Sequence, residues 1–228
     1  MMPRKAILLR YSEDDLEDFR SNLDIGLVKN FLQSAPGGCF EEDEIIEYKT
    51  NEIDDYIILR EIDQVEYSFV YFTGHADFID RATWIPLRDN TLIHVSDLQR
   101  KNKKQWFFFD CCRTRLALTH SPEFSFERMS IHFPTGNEKS RQYWMEMMNR
   151  LPQSSCTTYY TTEMGKYAFV NEHGGYGTQL FFTTLSELLK IKKEFHLKEL
   201  VLIINKEEDA LQKGILLSEN AEKFIFRN

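Results

Sequence analysis

The stretch Trp106-Phe107-Phe108-Phe109-Asp110-Cys111-Cys112-Arg113 decides the fold. Four large aromatic side chains in succession belong in a deeply buried segment, and they run straight into a carboxylate, two thiols and a guanidinium. Reactive groups at the end of a buried strand are typical of parallel α/β sheets, where ligands bind beyond the carboxyl ends of the strands. The same form occurs upstream, where Tyr67-Ser68-Phe69-Val70-Tyr71-Phe72 runs into Thr73-Gly74-His75-Ala76-Asp77. Two buried strands are therefore expected, one delivering a histidine at its end and the other a cysteine.

A chain of 228 residues, 42% hydrophobic, is long enough for one full α/β domain. Its 18 phenylalanines point to a Phe-rich core. A formal net charge of −8 is a poor electrostatic match for nucleic acid or an anionic membrane, so neither is expected as a partner. Cys39, Cys111, Cys112 and Cys156 show no CxxC spacing, and no His or Cys pair has the spacing of a structural zinc site. No metal or cofactor is expected. Adjacent Cys111 and Cys112 fall on opposite faces of a strand, which disfavours a mutual disulfide. The apolar patch Ala6–Leu9 is too short for a signal peptide, and no run of about 18 apolar residues suggests a membrane span. A reduced, soluble, cytoplasmic protein without direct membrane insertion is the expectation.

Along the chain, Lys5–Tyr11 reads as a first buried strand. Two helices follow, an acidic one over Glu13–Asn22 and an apolar one ending near Gln33, before Ala35-Pro36-Gly37-Gly38. A short strand is expected at Glu44–Tyr48. Thr50 or Asn51 is expected to cap a helix over Glu52–Ile62. Pro86 places Trp84–Leu87 in a loop or at an edge, Leu92–Val95 reads as a short strand, and Ser96–Leu98 begins a short helix. Arg115–Thr135, broken by Pro122 and Pro134, reads as a long loop. Asn137–Ser140 opens a helix to Leu151, Ser155–Tyr160 is a strand, and Thr178–Ile191 is an apolar helix. Leu197–Lys206 is ambiguous between helix and strand, and Leu216–Phe226 is strand-like. Repeated strand-then-helix alternation argues for a mostly parallel sheet of about six strands with helices on both faces.

Neighbouring parallel strands present their carboxyl ends side by side. His75 and one of the two adjacent cysteines would then come within reach, 37 residues apart in sequence, which is enough for one crossover. An imidazole beside a thiol removes its proton, and backbone amides can hold the resulting oxyanion.

These residues resemble known motifs. Tyr71-Phe72-Thr73-Gly74-His75-Ala76 is similar to the histidine motif of caspase-like peptidases, and Phe109-Asp110-Cys111-Cys112-Arg113 to the D-x-C-[R/H] motif of metacaspases and bacterial caspase-like proteins. Gly174-Gly175-Tyr176-Gly177-Thr178-Gln179-Leu180 resembles the start of that family's last large helix.

The resemblance implies an α/β/α sandwich forming one domain over 1–228. Within it lie a large-subunit-like part over about 1–115, a linker loop over about 115–136 and a small-subunit-like part over about 137–228. It implies a cysteine endopeptidase with Cys112 as nucleophile, His75 as general base and then acid, and the backbone N–H groups of Cys112 and Ala76 as oxyanion donors. Cys111 would be a core thiol. Asp110, with Thr73, would line the S1 pocket and select Arg or Lys at P1. Asp110 also reads as a strand-end cap or a salt-bridge partner of Arg113. No calcium requirement is expected, because Asp77, Asp80, Asp89 and Asp97 form no recognisable loop. Self-cleavage is expected near Arg128, Lys139 or Arg141. Relatives of this kind act on protein substrates in bacterial immunity, antiviral defence or regulated cell death, gasdermin-like pore formers among them. Two alternatives stand beside this reading: a non-enzymatic caspase-fold adaptor using the same groove, and a small-ligand or redox module, for which no Gly-rich phosphate loop or CxxC is present.

Overall fold

The computed structural model describes residues 2–114, 131–206, 212–218 and 220–227. Its first half contains β1 (Arg4–Arg10), α1 (Asp15–Gln33), β2 (Ile45–Lys49), α2 (Asp55–Asp63), β3 (Tyr67–Thr73), three short strands β4 (Asp77–Ile79), β5 (Ala82–Pro86) and β6 (Leu92–His94), and β7 (Lys104–Asp110). The second half contains α3 (Glu138–Arg150), β8 (Cys156–Tyr160), β9 (Val170–Asn171), β10 (Gly174–Gly175) and α4 (Tyr176–Ile191). It closes with β11 (Glu194–His196), α5 (Leu197–Ile204), β12 (Ile215–Ser218) and β13 (Ile225–Arg227).

Six strands form the central sheet in the order β12-β8-β7-β3-β1-β2. Neighbours are parallel except β12, which runs antiparallel to β8 at the edge. β3 and β7 are buried along their whole length at the sheet centre. Strand alternation divides the aromatic run between two cores. Trp106 and Phe108 face α1, α3, α4 and α5, whereas Phe107, Phe109 and Cys111 face α2 and the three-stranded sheet β4-β5-β6. Phe108 meets Tyr71, Tyr159, Phe181 and Phe182 with ring centroids 4.9–5.8 Å apart, mostly edge to face. Removing such a ring typically costs about 3–5 kcal/mol.

The two expected N-terminal helices are one continuous helix. Asp14 caps it by accepting from the Glu17 N–H at 2.8 Å, and Asp15, Glu17 and Asp18 suit its N-terminal dipole. No breaker intervenes before Ser34, and Gly26 sits where nothing crowds it. Thr50–Glu52 is a single 3-10 turn, so α2 starts later than expected, after Asp54. Trp84–Pro86 belongs to a true strand in the small antiparallel sheet, and Pro86 is its last residue, opposite Leu92 of β6 and beyond the pairing with β4. The ambiguous segment after Leu197 is helical, and the tail divides into β12 and β13. The loop expected over Arg115–Thr135 lies mostly outside the described residues, as does Arg128. Lys139 and Arg141 lie in α3, with Arg141 buried, so neither offers the extended backbone that self-cleavage requires.

Candidate active site

β3 and β7 are direct neighbours, with Thr73 opposite Asp110. Their ends therefore open together. Beyond Thr73 the chain turns at Gly74, whose φ is +125° and whose missing Cβ leaves room for the Tyr11 carbonyl. That turn releases His75 from the sheet while the Gly74 N–H still reaches the Asp110 carbonyl at 3.4 Å. His75, Cys112, Asp110 and Thr73 line one cavity of about 210 Å³, together with Glu17 and Asp24 of α1. The structure thus brings the four side-chain positions singled out in the sequence to one place.

The two cysteines differ as strand alternation requires. Cys111 is buried in the α2-side core, and burial pushes its thiol well above the ordinary range. Cys112 reaches the cavity. Burial raises its thiol too, partly offset by the Ala168 N–H, which points at the sulfur from 3.4 Å. Its weak S–H contact is with the Ala168 carbonyl at 3.8 Å. His75 meets Glu17 rather than the sulfur, with Nε2 2.8 Å from Oε1. Thiol and imidazole thus share a cavity and have different present partners. Among the described residues, neither the Cys112 nor the Ala76 N–H donates a hydrogen bond.

Asp110 is fully enclosed by donors. Thr161 Oγ1 donates to Oδ1 at 2.6 Å, and the Thr178 N–H and Oγ1 donate to Oδ2 at 2.8 and 2.6 Å. The Thr178 N–H belongs to the first turn of α4, so a helix N-terminus faces the carboxylate. Each threonine is itself fed. Tyr71 Oη lies 2.7 Å from Thr178 Oγ1, whose own proton goes to Asp110, so Tyr71 is the donor. Gln212 donates to Thr161 Oγ1 at 3.3 Å and accepts the Phe169 N–H at 2.6 Å. No ion pair joins Asp110 to Arg113. That guanidinium lies 3.9 Å from the Tyr160 ring centroid and donates to the Thr162 carbonyl, a structural placement.

A second carboxylate, Asp24, was not singled out in the sequence. It is 1% exposed and Asp110 3% exposed. Asp24 accepts from the Gly175 N–H at 2.9 Å and from Thr73 Oγ1 at 3.0 Å. Gly175 lies between the two carboxylates, where a Cβ would collide with Asp110 and crowd Asp24. Burial pushes Asp24 well above the usual carboxylate range, and the Asp110 charge pushes it further. Burial also raises Asp110, but the hydrogen bonds from Thr161 and Thr178 oppose the rise. Asp110 is thus the better anion and Asp24 the better proton holder, although the two titrate as a pair. The signal for Asp24 was present in the sequence: it lies on the same helical face as Val28 and Phe31, which are buried. Among the described residues no group of three or more His, Cys, Asp or Glu could hold a metal ion, and no helix is long and apolar enough to cross a membrane.

The sequence matches no protein-family model and no curated protein. Among solved structures, caspase-1 from Spodoptera frugiperda aligns with a TM-score of 0.56, over 95% of this chain and 86% of that chain, at 14% identity. The chain therefore has the caspase-like α/β/α fold, with its six-stranded, mostly parallel sheet.

Proposed function

We propose that the chain is a cysteine endopeptidase that cleaves peptide bonds after Arg or Lys. One observation carries the reading: two buried carboxylates, Asp24 and Asp110, stand beside the cavity that Cys112 and His75 share, and neither has a cationic partner among the described residues. A guanidinium or ammonium from a substrate supplies the missing charge, and Arg matches paired carboxylates through its planar fork. An acidic P1 side chain would add a third carboxylate there and is rejected.

His75 takes the Cys112 proton, and the thiolate attacks the carbonyl carbon of the basic residue. The N–H groups of Cys112 and Ala76 receive the oxyanion. The tetrahedral intermediate expels the amine, which takes the proton from the imidazolium and leaves a thioester. Water, deprotonated by His75, hydrolyses the thioester and restores the thiol. Because burial raises the Cys112 thiol, the attack relies on His75 to take its proton. A protein substrate in bacterial immunity or regulated cell death belongs to this proposal through the motif resemblance alone.

A panel of fluorogenic peptides with Arg, Lys or Asp at P1 tests the reading. Turnover of the Arg and Lys peptides is expected, with none of the Asp peptide and none by Cys112→Ala. Equal turnover by Cys112→Ala, or preference for Asp, contradicts it. The adaptor alternative predicts no turnover of any peptide together with peptide binding that survives Cys112→Ala.

A further inference from the structure

The mechanism above leaves one contact unused, the carboxylate on the far side of His75. Glu17 lies in the first turn of α1, and its Oε1 is 2.8 Å from His75 Nε2. Its other oxygen, Oε2, accepts the Glu13 N–H at 2.9 Å, and its own N–H is held by the Asp14 cap at 2.8 Å. One carboxylate oxygen and the backbone N–H are therefore held at the start of the helix, which leaves Oε1 for His75. His75 lacks such fixing of its own. It follows the Gly74 turn, and its side chain is 58% exposed, so packing does not hold the ring. Glu17, His75 and Cys112 line the same cavity.

A carboxylate facing one imidazole nitrogen keeps the proton there and leaves the other nitrogen as the base. It also stabilises the imidazolium that forms when a thiol proton is taken up. We infer that Glu17 is a positioning residue for His75. It keeps the proton on Nε2, leaves Nδ1 as the nitrogen that serves Cys112, and holds an otherwise exposed ring at the cavity. The Cys112–His75 pair is in this sense a three-membered arrangement, with its third member on α1. This inference rests on the cysteine-peptidase reading for its catalytic consequence but not for the tautomer itself.

The test uses the full chain as wild type, Glu17→Ala and Glu17→Asp. Imidazole nitrogen NMR of neutral His75 is expected to show the Nε2–H form in the wild type. Glu17→Ala should give a mixture of forms, and Glu17→Asp should regain most of the wild-type preference. An Nδ1–H wild type, or no change in Glu17→Ala, overturns the inference whether or not the protein is an enzyme. On a P1-Arg peptide, kcat should fall about 10- to 100-fold in Glu17→Ala with KM unchanged, and partly recover in Glu17→Asp. A merely structural role would lower the melting temperature and move KM with kcat. A rise in kcat in Glu17→Ala would show that Glu17 restrains His75 and would overturn the inference. No turnover by the wild type would overturn the peptidase reading instead, and the tautomer measurement would still decide the role of Glu17.

Discussion

Two clusters of buried charge in the molecule are treated in opposite ways. Near the start of β1, Arg4 and Arg141 are both buried, and both grip Glu44 at 2.9 Å. Further donors reach the Gly38 and Cys39 carbonyls at 2.7–2.9 Å, and the Arg4 guanidinium lies 4.1 Å from the Phe40 ring centroid. Burial works against the Glu44 charge, yet the two arginines hold its carboxyl below the ordinary range. At the ends of β3 and β7, by contrast, Asp24 and Asp110 receive amide and hydroxyl donors among the described residues. The first cluster is complete and ties β1 to α3 and the Gly38–Glu44 segment. In the second, neither carboxylate is ion-paired among the described residues, and the cluster opens on a cavity that Arg20 also lines. A closed charge network destabilises the fold when one partner is removed, whereas an open one is suited to bind whatever closes it.

The largest expected effect comes from opening the closed cluster. Glu44→Gln leaves buried Arg4 without its carboxylate and buried Arg141 with only the exposed Glu41, 3.3 Å away, and should cost about 3–5 kcal/mol in urea unfolding. Asp110→Asn removes a buried charge without an ion-pair partner but turns an NH2 toward the Thr161 or Thr178 donors, so it should cost less than Glu44→Gln. It should instead reduce kcat/KM on an Arg peptide by about 2–5 kcal/mol, roughly 30- to several-thousand-fold. An Asp110→Asn variant as unstable as Glu44→Gln, with basic-peptide turnover intact, would erase the contrast between the two clusters.

A pH effect follows from Asp24. Its folded pKa is raised, so the folded state binds its proton more tightly than the unfolded chain does. The associated stability is complete below the ordinary carboxylate range near pH ~4 and is lost as pH rises through the folded value. Thermal unfolding of the ligand-free protein should therefore show a falling melting temperature over that window, flattened in Asp24→Asn. Benzamidine, which carries an amidinium, should raise the melting temperature of the wild type at neutral pH and leave Asp24→Asn less affected. A melting temperature equally independent of pH in both proteins would remove Asp24 from the open cluster. The smallest effect is expected at Gln212, which feeds Thr161 and holds the Phe169 N–H. Gln212→Leu should lower kcat/KM on basic peptides by about 1 kcal/mol, roughly five-fold. No change would mean that Thr161 orients toward Asp110 unaided.

The strand framework was legible because burial on both faces leaves its mark in uninterrupted apolar runs. Tyr67–Phe72 and Trp106–Phe109 became adjacent central strands, and alternation put Cys111 and Cys112 on opposite faces, while the motif resemblance said which of them faces the core. The juncture inside α1 was misread because polarity changes near Asn22, and a change in polarity was taken for a break in backbone. Asp24 was missed for a related reason. A carboxylate between Leu23 and Ile25 looks solvent-facing until the helix is known to run on and its face to be buried. Glu17 and Gln212 left no local signature, since their roles depend on α1 and the segment before β12 meeting the ends of β3 and β8 in space.

The central claim is that Cys112 attacks and that the Asp24–Asp110 pocket selects a basic side chain. An irreversible peptidyl-arginine acyloxymethyl ketone, which forms a thioether with an attacking cysteine, tests both parts at once by peptide mass mapping. The account predicts a single adduct on Cys112, formed much faster than with the aspartyl reagent and lost in Asp110→Asn. Modification of Cys111, equal labelling by the aspartyl reagent, or no adduct on the wild type would contradict it.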